Sequence, residues 1–264
     1  MFQPNYVFLV PSKSSLSNYS QRRREESHVY RTKTTIFLTV ILFQHTYHNL
    51  GVIFSKVSIV IMEKIVIFGS TGNTGICAVE AGVQKGLNVR AFVRDPTKLP
   101  DHLRNSVEVV KGDVLNYTDV HNAIKNVSAV VVVLGTRKDL SATTMLSDGM
   151  KNIIKAMTKE NVQIVSVCLS AFLFCAPEQV PKIFCKINED HQREFDVLQE
   201  SGLNYIAVFP PHISDDKGTT CEVNHGSLPP GGKMVSKHDL GKFLIDSLTQ
   251  PEHYGKICGI VTKY

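Results

Sequence analysis

Apolar and polar residues alternate in regular blocks from Glu63 onward. Short apolar runs, typical of parallel strands covered on both faces, predict strands at Lys64–Phe68, Asn88–Val93, Val107–Lys111, Ala129–Leu134, Gln163–Leu169 and Tyr205–Phe209. Apolar positions at helical spacing predict helices at Thr74–Lys85, Tyr117–Ile124, Leu146–Glu160, Asn188–Glu200 and Lys237–Thr249. Strands that alternate with helices predict an α/β fold with a single doubly wound parallel sheet.

Residues 1–61 follow a different pattern. The run Gln21–Glu26 is charged, whereas Thr35–Phe43 is apolar but much shorter than the roughly 20 residues that span a bilayer. We therefore expect a poorly structured extension or leader at 1–61, one folded domain at 62–264, and no stable membrane span. A targeting signal stays open as an alternative, because basic residues precede the apolar stretch, and so does a marginal membrane anchor. A start at Met62 is a further alternative, because Met62 lies just before the first predicted strand.

Composition narrows the function classes. Of the 264 residues 43% are hydrophobic, which is ample for a buried core, and the net charge of +5 is too modest to predict nucleic-acid binding. The cysteines form no C-x-x-C pair and no cluster with zinc-ligand spacing, so we expect a reduced cytoplasmic protein without a metal site; they are Cys77, Cys168, Cys175, Cys185, Cys221 and Cys258.

The first predicted strand runs directly into a glycine-rich turn, Gly69-Ser-Thr-Gly72-Asn-Thr-Gly75, and a helix follows. Gly69 permits a tight exit from the strand, Gly72 lets the backbone approach a diphosphate, and Gly75 lets the helix pack on the strand. Free N–H groups at the helix start then face the anion. Because the spacing is G-x-x-G-x-x-G, an ordinary strand–turn–helix connection is the alternative.

The end of the second strand indicates which dinucleotide is bound. A basic residue at this position suits the 2′-phosphate of NADP(H), whereas an acidic one suits the 2′-hydroxyl of NAD(H). Arg94 occupies the strand tip and Lys98 follows one helical turn later, so the sequence predicts NADPH. The neighbouring Asp95 is evidence against NADPH, because an acidic residue suits NAD(H). The alternative interpretation is that Arg94 and Lys98 belong to a basic surface turn.

The ends of the next two strands supply further candidates. Asp113 either accepts a hydrogen bond from the adenine amino group, with Val114 packing beside the ring, or caps the following helix. Gly135 lets the chain run close to the cofactor, and Arg137 either reaches a phosphate or is solvated.

From Met62 to about Thr249 the chain resembles the NADPH-dependent flavin reductases, also called biliverdin-IXβ reductases, which are atypical short-chain dehydrogenases/reductases of the Rossmann superfamily. The resemblance is carried by Phe68–Gly75, Val93–Asp95, Gly112–Val114, Leu134–Ser141, Ser170–Leu173, Glu200–Leu203, Pro210–Ile213 and Ser236–Gly241. Two positions depart from it, since Cys175 stands where the family has Trp and Ser247 where it has Cys.

The resemblance implies roles along the whole cofactor. The phosphates and ribose would be bound by Gly69, Thr71, Gly72, Asn73, Thr74, Arg94 and Lys98, and adenine by Asp113 and Val114. The middle of the cofactor would be lined by Leu134, Gly135, Arg137 and Leu146, and the nicotinamide by Cys168, His191, His212 and Ile213. Ser170 and His212 would face the substrate as candidate catalytic residues.

The sequence lacks the Tyr-x-x-x-Lys pair of ordinary short-chain dehydrogenases, since no Tyr has Lys four positions later. The resemblance implies a monomeric reductase that transfers hydride to flavins (FMN, FAD, riboflavin) or to biliverdin-like tetrapyrroles, a step of heme catabolism. Conjugated rings delocalise the incoming charge, so the proton can come from solvent. Ser170 and His212 can therefore be structural residues rather than catalytic ones. A reductase of quinones or other planar acceptors and a non-catalytic NADPH sensor are the alternatives.

Overall fold

The computed structural model describes residues 62–263, and the predictions for residues 1–61 lie outside this range. The strands are β1 (Lys64–Phe68), β2 (Asn88–Val93), β3 (Glu108–Lys111), β4 (Ala129–Val132), β5 (Ile164–Cys168), β6 (Asn204–Phe209), β7 (His212–Ser214), β8 (Thr220–His225), β9 (Met234–Ser236) and β10 (Lys256–Lys263). The α-helices are α1 (Asn73–Gln84), α2 (Asp101–Arg104), α3 (Tyr117–Ile124), α4 (Met145–Lys159), α5 (Cys185–Gln199) and α6 (Lys237–Asp246). Single 3₁₀ turns occupy Pro96–Lys98, Ala171–Phe174, Pro177–Gln179, Ser247–Thr249 and Pro251–His253.

The main sheet has eight strands in the order β3-β2-β1-β4-β5-β6-β10-β8, and β7 pairs with β9 in a separate two-stranded sheet. All neighbours in the main sheet are parallel except β8, which runs antiparallel to β10. The chain direction across the sheet reverses between β1 and β4, as in doubly wound nucleotide-binding folds. The predicted fold class is therefore confirmed, with an antiparallel edge strand added.

Helices cover both faces of this sheet, which explains why the strands are continuously apolar. In β1, Ile65 and Ile67 pack with α1 and α6, whereas Val66 and Phe68 pack with α3, α4 and α5. Successive side chains of a strand point to opposite faces, so both sets must be apolar. Within residues 62–263, the helices are all too short or too polar to cross a bilayer.

The C-terminal part differs from the prediction. No strand was predicted after Phe209, yet β10 lies inside the main sheet between β6 and β8. Gly259 interrupts the apolar run of β10, and a Cβ there would lie 2.1 Å from the carbonyl oxygen of Ser227. This glycine marks a close backbone approach rather than the end of a strand. The last predicted helix also ends early, at Asp246, and continues as a 3₁₀ turn.

Candidate cofactor and substrate cleft

A cleft of about 980 Å³ lies at the carboxyl ends of strands β1 to β6, around the point where the strand order reverses. This is the position at which open α/β sheets bind their ligands. The cleft is built from segments that follow six of the parallel strands and from residues of three helices, α1, α4 and α5. Its lining includes residues 69–75, 92–94, 113–115, 133–138, 168–170 and 210–211, with Ile187, Asn188 and His191 of α5.

Glycine is required at two points of the turn that follows β1. Gly69 has a φ of +85°, and a Cβ there would lie 2.1 Å from the carbonyl oxygen of Val133. A Cβ on Gly75 would lie 2.1 Å from the carbonyl oxygen of Gly69. The turn is closed by the Gly72 N–H, which donates to the Gly69 carbonyl at 2.9 Å. A side chain at Gly69 would push the turn away from the segment that follows β4, and a side chain at Gly75 would push α1 away from the end of β1.

The N-terminus of α1 is open toward the cleft. Gly72 is its N-cap residue, no side chain caps it, and its first turn contains no acidic residue. The first N–H groups of a helix have no partner within the helix and carry its positive dipole end. Arg137, with a φ of +60°, donates from its guanidinium to the Thr71 carbonyl oxygen at 3.4 Å. The turn, the helix start and Arg137 together fit the diphosphate of a dinucleotide.

Arg94 lies at the edge of the cleft with an exposed side chain. Within residues 62–263 its guanidinium makes no hydrogen bond or ion pair, so it can bind an incoming phosphate. Asp95 has a different role, because its carboxylate accepts from the N–H and the hydroxyl of Thr97 at 3.0 and 2.7 Å. These bonds lower the pKa of Asp95 and make it the cap of the turn Pro96–Lys98.

The segment that follows β3 shows which residue caps the next helix, a role that the sequence left open for Asp113. Asn116, not Asp113, caps α3, since its side chain accepts from the N–H of Thr118 at 2.9 Å. Asp113 accepts from the Leu115 N–H at 2.9 Å and lines the cleft beside the mostly buried Val114. Gly135 also lines the cleft, and a Cβ there would meet no atom of the described residues within 4 Å.

Most of the predicted site residues line the cleft, but three do not. Leu146 is fully buried in the first turn of α4, and its N–H donates to Asp190 at 2.9 Å. His212 begins β7 next to Ile213, which does line the cleft, and alternation along a strand gives these neighbours opposite directions. Lys98 is exposed, with its ammonium 3.9 Å from the Asp95 carboxylate.

The far end of the cleft, after β5, is largely apolar. The Ser170 hydroxyl accepts from the Phe172 N–H at 3.2 Å, so it caps the turn Ala171–Phe174 while lining the cleft. Phe172 stacks on Phe184 with ring centroids 5.2 Å apart, and both line the cleft. Phe174 packs instead against Phe209 of the core at 4.9 Å. Phe172 therefore lines the cleft, whereas the half-buried Phe174 packs against the core.

A buried acidic residue behind this end was not predicted from the sequence. Glu194 of α5 is 1% exposed, and its Oε2 lies 3.1 Å from Nδ1 of His191, which lines the cleft. Among residues 62–263 its Oε1 has no hydrogen-bond partner, and the same is true of the buried Oδ1 of Asn188. Burial raises the pKa of Glu194, and His191 opposes part of this shift. Burial also raises the pKa of Cys168 to about 12, so Cys168 is a neutral thiol rather than a nucleophile.

A second buried carboxylate fixes α5 against α4. Asp190 is fully buried and accepts from the Leu146 N–H at 2.9 Å and from the Ser147 hydroxyl at 2.6 Å. Arg193 donates to the same carboxylate at 3.2 Å and to the Thr143 carbonyl oxygen at 2.8 Å. Asp190 thus caps α4 from a neighbouring helix and holds the segment that carries His191 in place.

This geometry agrees with a sequence profile described as NAD(P)H-binding, which matches residues 69–251, more than half of the 264-residue chain. The chain belongs to the NAD(P)H-binding family. The family match begins at the first glycine of the turn after β1 and extends past the end of α6. It therefore includes every segment that lines the cleft.

Two relatives of this NAD(P)H-binding chain are informative. It is 31% identical over 104 residues to an oxidoreductase of Pestalotiopsis microspora, a match that covers 37% of this chain and 40% of that protein. It is 24% identical over 222 residues to an uncharacterised chloroplastic protein of Arabidopsis thaliana, covering 76% of this chain and 77% of that one. Because this relative is chloroplastic, a cytoplasmic location of our chain stays a prediction.

Two solved structures share the fold. A short-chain dehydrogenase/reductase of Veillonella parvula in complex with NADP aligns with a TM-score of 0.62 at 20% identity, covering 76% of this chain and 97% of that one. An anaerobilin reductase of Escherichia coli O157:H7 aligns with a TM-score of 0.62 at 14% identity, covering 75% and 97%. At these identities the likeness shows the fold alone.

Proposed function

We propose that this protein is an NADPH-dependent oxidoreductase that transfers hydride to flavins or to biliverdin-like tetrapyrroles. The observation that carries the proposal is the composition of the cleft. A glycine-rich anion cradle at one end continues into an apolar shelf at the other, and within residues 62–263 no tyrosine lines it. A site without an activated hydroxyl suits an acceptor whose conjugated rings spread the incoming charge.

The cofactor end would be held by the elements described above. The N–H groups at the start of α1 would bind the diphosphate, with Arg137 closing over it, and Arg94 would pair with the 2′-phosphate. Gly135 would leave room for the cofactor backbone, since no atom of residues 62–263 lies within 4 Å of where its Cβ would be. When bound there, NADPH supplies a hydride, and the task of the protein is to position the acceptor.

The acceptor end would be formed by the stacked rings of Phe172 and Phe184 with Ile187 and Ile213. Flat rings bind well to apolar walls of this kind, and aromatic side chains stack with offsets that tolerate several ring shapes. The sequence likeness to flavin and biliverdin-IXβ reductases supports this substrate class. The shared fold of the anaerobilin reductase is in keeping with it.

A proton must also reach the reduced acceptor, and His191 is the one histidine that lines the cleft within the described residues. Its Nδ1 faces Glu194 at 3.1 Å, which leaves Nε2 for the cleft. Burial raises the pKa of Glu194, which favours its protonated form. The carboxyl then donates to Nδ1, and a neutral ring that accepts there carries its own hydrogen on Nε2. We assign His191 the role of proton donor and Glu194 the role of positioning residue, in place of the exposed His212.

The proposal is tested by the oxidation of NADPH by the purified full chain with FMN, riboflavin, biliverdin or a quinone as acceptor. We expect acceptor-dependent oxidation with a flavin or biliverdin, and a lower kcat for His191→Gln with unchanged NADPH affinity. His121→Gln serves as the matched control, because His121 pairs with Glu160 at 2.6 Å and does not line the cleft. Tight NADPH binding without turnover on any acceptor would contradict the proposal and favour a sensor, and turnover with the quinone alone would change the substrate class.

A further inference from the structure

Three potential metal ligands meet where the edge strand β8 pairs with β10. His225 ends β8, Cys258 lies in β10, and the two residues are direct cross-strand partners. His253, at the end of the turn Pro251–His253, lies over this pair. Nε2 of His225 lies 2.9 Å from Nδ1 of His253, which lies 3.8 Å from Sγ of Cys258. All three ligand atoms are within 4.8 Å of one another.

These separations are close to those in a zinc site. Zinc binds imidazole nitrogen at about 2.0–2.1 Å and thiolate sulfur at about 2.3 Å, which in a tetrahedron separates two nitrogens by about 3.3 Å and nitrogen from sulfur by about 3.6 Å. The observed nitrogen–nitrogen distance is slightly shorter, and the nitrogen–sulfur distance slightly longer. The ligand atoms of His225 and Cys258 lie within 4.8 Å of each other, so a rotation of the exposed His225 ring would bring its nitrogen toward a shared ion.

The surroundings also suit a bound cation. Cys258 is buried, His253 is half-buried and His225 is exposed, so an ion could enter from solvent and meet a sheltered sulfur. The ring of His253 packs edge-on against Phe243 at 5.2 Å, which fixes its direction. None of the three residues lines the cofactor cleft. The simpler interpretation, a hydrogen bond between two histidines, gives the thiol no role.

We propose that His225, His253 and Cys258 bind one zinc ion and leave its fourth coordination position to solvent. The set of two imidazoles and one thiolate matches the preference of zinc for nitrogen and sulfur ligands. The ion would tie the antiparallel edge strand β8 to β10 and to the turn that precedes β10. Binding to the folded state alone would therefore raise the melting temperature.

The test uses Co²⁺ as a spectroscopic probe with the full chain after treatment with a chelator. We expect one equivalent to produce a thiolate-to-cobalt charge-transfer band and visible bands typical of tetrahedral cobalt, with Zn²⁺ displacing both. Cys258→Ser should remove the charge-transfer band. His225→Ala should weaken binding by more than about tenfold, since even outer-shell partners contribute 10- to 100-fold to affinity. Because His225 is exposed, this variant should fold normally.

Cys77→Ser is the matched control, since Cys77, Glu80 and His238 form the other such group within residues 62–263. There Sγ of Cys77 lies 3.5 Å from Nδ1 of His238, but Glu80 already pairs with a different histidine, His102, at 3.4 Å. The control should keep the full spectrum and the rise in melting temperature with Zn²⁺. A spectrum without a thiolate band, one that survives Cys258→Ser, or an affinity unchanged in His225→Ala would overturn the proposal.

Discussion

Replacing Arg94 with alanine should separate the two nicotinamide cofactors. Arg94 is exposed and forms no bond within the described chain, so its removal should leave the fold intact, and no internal bond has to break when it turns to a phosphate. A hydrogen bond to a charged group contributes about 1.5–3 kcal/mol, which corresponds to a loss of roughly 10- to 150-fold in NADPH affinity. At physiological salt the lower half of this range is expected, because the site is open to solvent.

Calorimetric titration of the full chain with NADPH and NADH measures this effect. We expect the Kd for NADPH to rise by the stated factor while the Kd for NADH changes less than about threefold, and Arg94→Lys to fall between, since lysine keeps the charge without the fork. Lys159→Ala, an exposed lysine at the end of α4, controls for net charge. Equal losses for both cofactors in Arg94→Ala would refute the assignment of Arg94 to the 2′-phosphate.

Three further predictions concern the turn, the buried acids and stability. Gly69→Ala should lower the melting temperature, because a left-handed φ alone costs about 1–2 kcal/mol. Gly135→Ala should leave the melting temperature unchanged, but it should weaken NADPH binding in the calorimetric titration described above. A raised pKa means that folded Glu194 holds its proton more tightly than the unfolded chain does, so Glu194 favours folding in acid and costs stability as the pH rises above the ordinary carboxyl pKa. Thermal melts of Glu194→Gln should therefore show a gain over the wild type in neutral buffer that shrinks in acid; a gain independent of pH would contradict this. Asp190→Asn should cost about 1–3 kcal/mol in urea unfolding because three donors lose a charged acceptor, and the exposed Asp196→Asn should cost less than about 0.5 kcal/mol.

The strands that could be predicted are those whose burial on both faces leaves a continuous apolar run. Each of β1 to β6 was found with ends that differ by one or two residues at most. The missed strands lack that signal: β7 and β9 have three residues each, β8 alternates polar and apolar residues at the edge, and β10 contains Gly259. Edge strands, and strands that another segment crosses closely, do not need a continuous apolar run, which is the pattern on which the prediction rests.

Among the site residues, too, some could be predicted from the sequence and others could not. The turn after β1 could be predicted, because the backbone conformation itself demands glycine. Glu194 could not, since it lies in the charged run Asn188–Glu194, which is typical of a solvated helix face, and only the packing of α5 on the sheet buries it. The group formed by His225, His253 and Cys258 has no motif spacing, because pairing of β8 with β10 brings the ligands together.

We infer that this cleft binds NADPH with a planar acceptor stacked at its apolar end. A crystal structure of the full chain with NADP⁺ and FMN would show where both ligands lie. We expect the diphosphate at the N-terminus of α1, the 2′-phosphate within hydrogen-bond distance of Arg94, and the flavin ring beside Phe172 and His191. A nucleotide bound elsewhere, or bound with its nicotinamide at the Arg94 end, would contradict it.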